Sequence, residues 1–440
     1  MEEISPYVAI IGLSVIILIS YFFNVLSRKT NVPSVLMLIV LGILLKQGMN
    51  FMGVENGNFL FKSLEILGII GLIMIVLEAA LDLELNKEKW PTIWKSFSVA
   101  SLSLIISCVI CAYLIHFFLI DDLFIAFVYA TPLSIISSAI IIPSVTELSE
   151  EKKEFMVYDG TFSDILGIML FYFLIGNAEV ESAKLIAFDV FSNIFITIAL
   201  SFIVSYVLIF VFQKIKTQAK LFLLTAILLI LYSVGKLFHL SSLLIILIFG
   251  LILSNSRLFV RGFLKKWIDE AKVDVIQKDF HLVTLESAFV VRTFFFVLFG
   301  ISITLGSLLN FEVMLVSVFI LASIYIVRFL LVKLFLGKDI KPIVYLAPRG
   351  LITILLFFAI PKEYQDENFN SGILLYTIIV SCIIMAVALV KDGKLRKKDI
   401  KLSMQGEHLT QESLAEMKEE ESQINVADDD VAADGNSIQT

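Results

Sequence analysis

Apolar residues fall in unbroken runs along this chain, and the polar ones gather in the short stretches between them. The run from Leu243 to Leu253 has no polar face, which excludes the alternation at about two or about 3.6 residues that a water-facing strand or helix needs. A bilayer core takes about 20 helical residues. On that rule the pattern predicts thirteen spans, near 7–26, 32–48, 64–82, 93–119, 123–146, 155–176, 185–213, 219–235, 240–254, 281–306, 311–336, 340–360 and 372–390. The expected fold class is an all-α polytopic membrane protein.

An odd number of spans puts the termini on opposite sides, and cytoplasmic loops are the basic ones. The loops after spans 1, 3, 5, 7, 9 and 11 hold nineteen Lys and Arg, from Arg28 and Lys29 to Lys338 and Lys341. The intervening loops hold five, Lys46, Lys62, Lys184, Lys236 and Lys362. The N-terminus is therefore expected outside and the C-terminus in the cytoplasm of a multi-pass plasma-membrane protein. Glu2 and Glu3 precede the first run in place of a basic n-region, so that segment is expected to stay as a span.

Composition sharpens this picture. The chain is 58% hydrophobic and 17% charged, and its net charge of −7 comes mostly from the stretch Glu407 to Asp434. The membrane part is not acidic, and no nucleic-acid partner is implied. After the basic cluster Lys391 to Lys401 the chain turns polar, without aromatic residues, which predicts a disordered acidic cytoplasmic tail over 392–440. Cys108, Cys111 and Cys382 lie in apolar runs and read as small packing residues. No phosphate-binding glycine loop occurs and the four His are scattered, so no hydrolase and no cofactor is suggested.

Span 2 runs from Pro33-Ser34 to Gly42 and span 9 from Ser241-Ser242 to Gly250, with serine and glycine in register at an offset of 208. Seven spans separate the copies, so they cross in opposite directions, as inverted repeats do. Repeat one is expected at about 7–176, a linker helix at about 185–213 and repeat two at about 219–390, within a transmembrane domain over 1–391. The same shift pairs span 5, with Thr131-Pro132, Ser134, Ser137, Ser138 and Pro143, with span 12, with Pro348-Arg349-Gly350. Proline removes a backbone hydrogen bond, and membrane helices tolerate breaks where the backbone is buried in protein or lines a cavity. Two matched breaks predict interrupted helices that cross at the midplane and build a substrate site.

A charge at the bilayer centre costs on the order of 2.5–3.5 kcal/mol on insertion scales, so each one is a functional candidate. Asp164 lies in the middle of span 6 and Asp159 five residues earlier, about 140° away around the helix. Glu78, Glu286, Arg292 and Arg349 complete the set, whereas Lys46, Glu65, His116 and Arg328 lie near span ends and read as interfacial. Arg292 reads as the fixed countercharge of a carboxylate.

These residues resemble the monovalent cation/proton antiporter superfamily, in particular its thirteen-span prokaryotic sodium/proton antiporters, over roughly 7–391. Asp159-Gly160-Thr161-Phe162-Ser163-Asp164 has the spacing of Glu-Ser-x-x-Asn-Asp in the exchanger branch, and Ala347-Pro348-Arg349-Gly350-Leu351-Ile352 is similar to its Arg-Gly signature. The resemblance implies that Asp164 binds the ion, that Asp159 pairs with a core arginine, assigned here to Arg292, and that the protein is a homodimer. Three positions depart from the pattern. Ala130-Thr131-Pro132 stands for Thr-Asp-Pro, Gly160 for a serine and Ser163 for an asparagine, while Ser137-Ser138-Ala139 is closer to the potassium-efflux branch.

The expected function is exchange of a monovalent cation, Na+ foremost with K+ or Li+ as alternatives, for H+ across the bilayer. Asp164 would be the ligand shared by cation and proton, with Ser163 and Thr131 completing an oxygen shell for a hard ion, and Pro132, Glu78, Arg349 and Gly350 in support. Because Ser163 replaces the second adjacent acid of electrogenic relatives, one-for-one electroneutral exchange is expected. The rival readings are a passive channel or organic-solute carrier on the same scaffold, and a membrane sensor that signals through the tail.

Overall fold

The computed structural model describes residues 6–30, 32–51, 59–83, 85, 87–145, 148–176, 183–215, 220–237, 242–260, 267–302, 310–338, 340–366 and 368–393. Of the expected acidic tail over 392–440, Asp392 and Gly393 end a helix and the rest lies outside the described residues. Among the described residues all regular structure is helical: α1 Pro6–Thr30, α2 Ser34–Phe51, α3 Phe59–Asp82, α4 Trp90–Phe118, α5 Leu123–Ser134, α6 Ser138–Ser144, α7 Glu150–Gly176, α8 Ala183–Phe212, α9 Lys220–Leu237 and α10 Ser242–Ser254. There follow a short α11 Ser256–Phe259, then α12 Glu270–Ser302, α13 Phe311–Leu336, α14 Leu351–Phe358 and α15 Gly372–Gly393. Eight helical stretches among the described residues are long and apolar enough to cross a membrane, and three shorter apolar helices join them.

Local chemistry sets several ends. Asp122 caps α5 by accepting from the amides of Phe124 and Ile125, Asn310 caps α13 through the Glu312 amide, and Gly337 ends α13 at φ +79°, where a side chain would strain the backbone. Two boundaries extend beyond the expected spans because hydropathy detects only the apolar part of a helix. Helix α12 starts at Glu270, eleven residues before the predicted 281, with Lys272, Asp274, Lys278 and Asp279 in its polar first turns. Helix α7 starts at Glu150 rather than 155.

The helices of Met1–Ala388 sort into two packed groups. One gathers α4, α5, α6, α7, α13 and α14; the other joins α12 to α2 and α3, and α10 to α3, α8 and α9. In the second group glycines let backbones touch. A Cβ on Gly42 of α2 would lie 2.2 Å from the Val297 carbonyl oxygen and 2.8 Å from Gly300 Cα of α12. One on Gly250 of α10 would lie 2.6 Å from Ala80 Cβ and 3.3 Å from Leu77 Cδ1 of α3. The seven-span shift pairs the two crossings element by element, α2 with α10 and α12 with α3.

Both expected interruptions are present in the first group. Span 5 is α5 and α6 joined by unwound Ile135–Ser137, so the helix carries Pro132 inside its last turn and ends two residues beyond it, at Ser134. Span 12 is a tight turn at Ile343–Tyr345, non-helical backbone over 346–350 and the eight-residue α14. The two unwound segments touch, with the Ser137 amide donating to the Pro348 carbonyl at 2.9 Å. Broken backbone must be shielded from lipid, and 123–144 is the most enclosed candidate span, 83% buried against 6% for the segment in α1.

Candidate functional site

The site is assembled on one face of α7. Gly160, Ser163, Asp164 and Gly167 recur at helical spacing, and all four meet the break in span 5. A Cβ on Gly160 would be 3.2 Å from Ser138 Cα, and one on Gly167 would be 2.3 Å from Ile135 Cγ1. The glycines thus admit the unwound chain, and the polar pair between them holds it. The Ser163 hydroxyl accepts the Ile136 amide at 2.9 Å. Oδ2 of Asp164 accepts the Ser138 amide at 3.0 Å and also the Ser138 hydroxyl. Oδ1 of Asp164 is buried without a hydrogen-bond partner.

The other strand of the crossing contributes Arg349, which is 1% exposed. Its guanidinium donates to the carbonyls of Leu133 at 2.9 Å, Ser134 at 3.3 Å and Ala347 at 2.6 Å. A helix that stops inside a membrane protein leaves its last carbonyls without amide partners and with partial negative charge. Arg349 supplies both the donors and the countercharge for the end of α5. Gly350 follows because a Cβ there would lie 2.5 Å from Ile140 Cδ1 and 2.7 Å from the Ser137 hydroxyl.

The buried charges pair differently from the expectation. Asp159 does not pair with Arg292; its Oδ2 meets Nη2 of Arg328 at 2.8 Å, with both side chains at most 1% exposed. Arg328 also donates to the Ile343 carbonyl at 3.2 Å, so it fastens α7 to α13 and to the turn before the second break. It is not the interfacial residue that its position suggested. Arg292 instead meets Glu78 of α3 at 3.3 Å and reaches the Ala139 carbonyl of α6 at 3.5 Å. The reason is depth. Asp159 lies nine residues from the start of α7 and Arg328 eight from the end of α13, about 12–14 Å in from the same side at 1.5 Å per residue. Matching depths of opposite charges across the spans is the signal that would have found the pair.

Thr131 is also placed away from its expected role, since its hydroxyl donates to the Phe127 carbonyl at 2.8 Å and lies 3.3 Å from Cys108 Sγ. Ser138 is the contact of Asp164 that sequence reasoning did not assign to the site. Glu286 is exposed, on the wall of a crevice of about 440 Å³. That crevice is enclosed by α1, α2, α3, α6 and α12, with Glu78 and Arg292 on its sides and Ser138 at the break.

A buried acid held against two crossed, interrupted helices, with an open crevice beside it, defines a membrane secondary antiporter. The chain belongs to the sodium/hydrogen exchanger family, whose transmembrane profile matches residues 14–391; it is a multi-pass membrane protein of cation/proton antiport. No curated protein matches it. Two solved structures of the sodium proton antiporter MjNhaP1 from Methanocaldococcus jannaschii share the fold. One, at pH 8, has 20% identity and a TM-score of 0.61, covering 87% of this chain and 94% of its own. The other, from electron microscopy, has 19% identity and a TM-score of 0.66, covering 90% and 98%.

Proposed function

We propose that this protein exchanges Na+ for H+ one for one by alternating access, with Asp164 as the group that binds either ion. One observation carries the reading. Glu78 and Asp159 each have an arginine within ion-pair distance, and Arg349 is committed to carbonyls, whereas Asp164 has hydrogen bonds from Ser138 alone. A carboxylate fixed by a guanidinium has lost its freedom to trade ions. Asp164 keeps that freedom, and its free oxygen is a hard ligand suited to a hard monovalent cation.

The basic loops support a cytoplasmic opening for the crevice, whose walls are the second half of α1, the start of α2, the last turns of α3, helix α6 and the middle of α12. The conformation is accordingly inward-facing, in the plasma membrane, with the N-terminus outside. The two helix groups are the moving parts, the first carrying Asp164 past the second, and the second is the face on which two copies form a homodimer. Repeat one at about 7–176 and repeat two at about 219–390 supply the inverted halves that make two such conformations accessible.

The test is proton flux in proteoliposomes, read with an internal pH dye while Na+, K+ or Li+ is added outside. Wild type responds to Na+ most strongly and with no dependence on membrane potential. Asp164→Asn, which keeps the size and both Ser138 contacts, elutes as a folded protein and gives no cation-dependent signal. A wild-type signal from Asp164→Asn overturns the assignment.

A further inference from the structure

The crevice reaches Ser138 and stops short of the carboxylate. Ser138, Ala139, Ile142 and Pro143 line it from α6, whereas Asp164, as buried as Ser138, is not part of its wall. Among the described residues, Ser138 is the one shared by the crevice lining and the hydrogen bonds of Asp164. The two hydroxyls that the sequence favoured as ligands are engaged elsewhere, Ser163 with the Ile136 amide and Thr131 with the Phe127 carbonyl. Beside them, Oδ1 of Asp164 and the Ser137 hydroxyl are buried with no partner. Buried polar atoms normally have a partner, and these two keep their capacity to accept one.

We infer that Ser138 is a ligand of the transported cation, the oxygen that receives the ion from the crevice and shares it with Asp164. The inference rests on Asp164 being the exchange site. Before the ion arrives, the Ser138 hydroxyl donates its hydrogen to Oδ2, and the Ser138 amide donates to the same oxygen. A cation entering from the crevice turns the hydroxyl about its Cα–Cβ bond, so that a lone pair faces the ion. The amide does not move and keeps the carboxylate in place. In the return half-cycle the cation leaves to water, one proton from water binds the carboxylate, and the hydroxyl of Ser138 ends unchanged. Serine suits this double duty because its hydroxyl is both donor and acceptor.

The experiment is Na+-dependent proton flux at a series of Na+ concentrations in proteoliposomes of wild type, Ser138→Ala, Ser138→Thr and Asp164→Asn. Ser138→Ala should raise the apparent KM for Na+ by about tenfold, the loss of one contact to a charged partner, with the maximal rate little changed. Ser138→Thr, which keeps the hydroxyl, should restore the wild-type KM; a purely structural serine would not give this split. An unchanged KM in Ser138→Ala overturns the inference, and if Asp164→Asn is silent in the same series the exchange site itself stands. Flux through Asp164→Asn would remove that site and the inference with it. Should Ser138→Ala not fold, Ser138→Cys is treated with a charged methanethiosulfonate; native Cys108, Cys111 and Cys382 do not line the crevice, and wild type treated in the same way is the control for them. Labelling that Na+ slows supports the ligand role, and labelling that Na+ leaves unchanged, or none at all, overturns it.

Discussion

Asp159, Asp164 and Glu78 lie within or near the same protein interior, yet their neighbours give them different roles. Asp159 is a structural anchor because Arg328 neutralises it where neither side chain reaches water. Removing one member of a buried pair strands the other charge and costs about 3–5 kcal/mol. Arg328→Met should therefore lower the unfolding temperature in detergent markedly, while Arg328→Met combined with Asp159→Leu should recover most of the loss. Equal stability of the single and double variants would show that the pair is not coupled. The charged residues themselves were legible in the sequence, since each interrupts an apolar run. Their partners were not, because a linear pattern does not show which faces of α7, α12 and α13 meet, and only their matching depths pointed to the pair. Ser138 escaped for a related reason: a serine in an apolar span carries no charge to mark it, and its value comes from the carboxylate that α7 brings to it.

At the level of elements, the two broken helices were announced by Pro132 and Pro348, but their geometry was not. Proline weakens α5, yet the chain unwinds at Ile135–Ser137, where Ser163 takes the Ile136 amide and Gly167 makes room for Ile135. Those partners come from α7, so tertiary contacts decide where the helix stops. The crossing also depends on the absence of a side chain at Gly350. A methyl there would collide with Ile140 and Ser137. Gly350→Ala is expected to pry the two segments apart, reducing exchange by about an order of magnitude at a cost of about 1–3 kcal/mol in stability. Flux and thermal unfolding measured on the same preparation check both halves. A wild-type rate would mean that the crossing tolerates more slack than its close contacts suggest.

On the scale of the whole molecule, the all-helical class followed directly from the unbroken apolar runs, and the glycine register of spans 2 and 9 reappears as two matching close crossings, α2 on α12 and α10 on α3. The division into two helix groups was not visible in the chain, because every lipid-facing helix has much the same composition whichever group it joins. The same uniformity blurs the division of α8, α9 and α10 into full spans, since their apolar described parts are short. If transport belongs to the helices alone, a chain ending after Lys401 should keep its cation-dependent proton flux within about twofold of the full protein. Loss of flux with correct folding would instead favour a tail that controls the exchanger.

Arg349 has a consequence for how many ions the carrier moves. The carbonyl end of a helix broken inside a membrane is a natural resting place for a cation, and at the end of α5 a guanidinium tied to the chain already sits there. A tethered charge never leaves, so that berth is closed to traffic. With Asp164 as the proposed exchange site, one seat stays open beside it, and each crossing of the bilayer is expected to carry a single passenger.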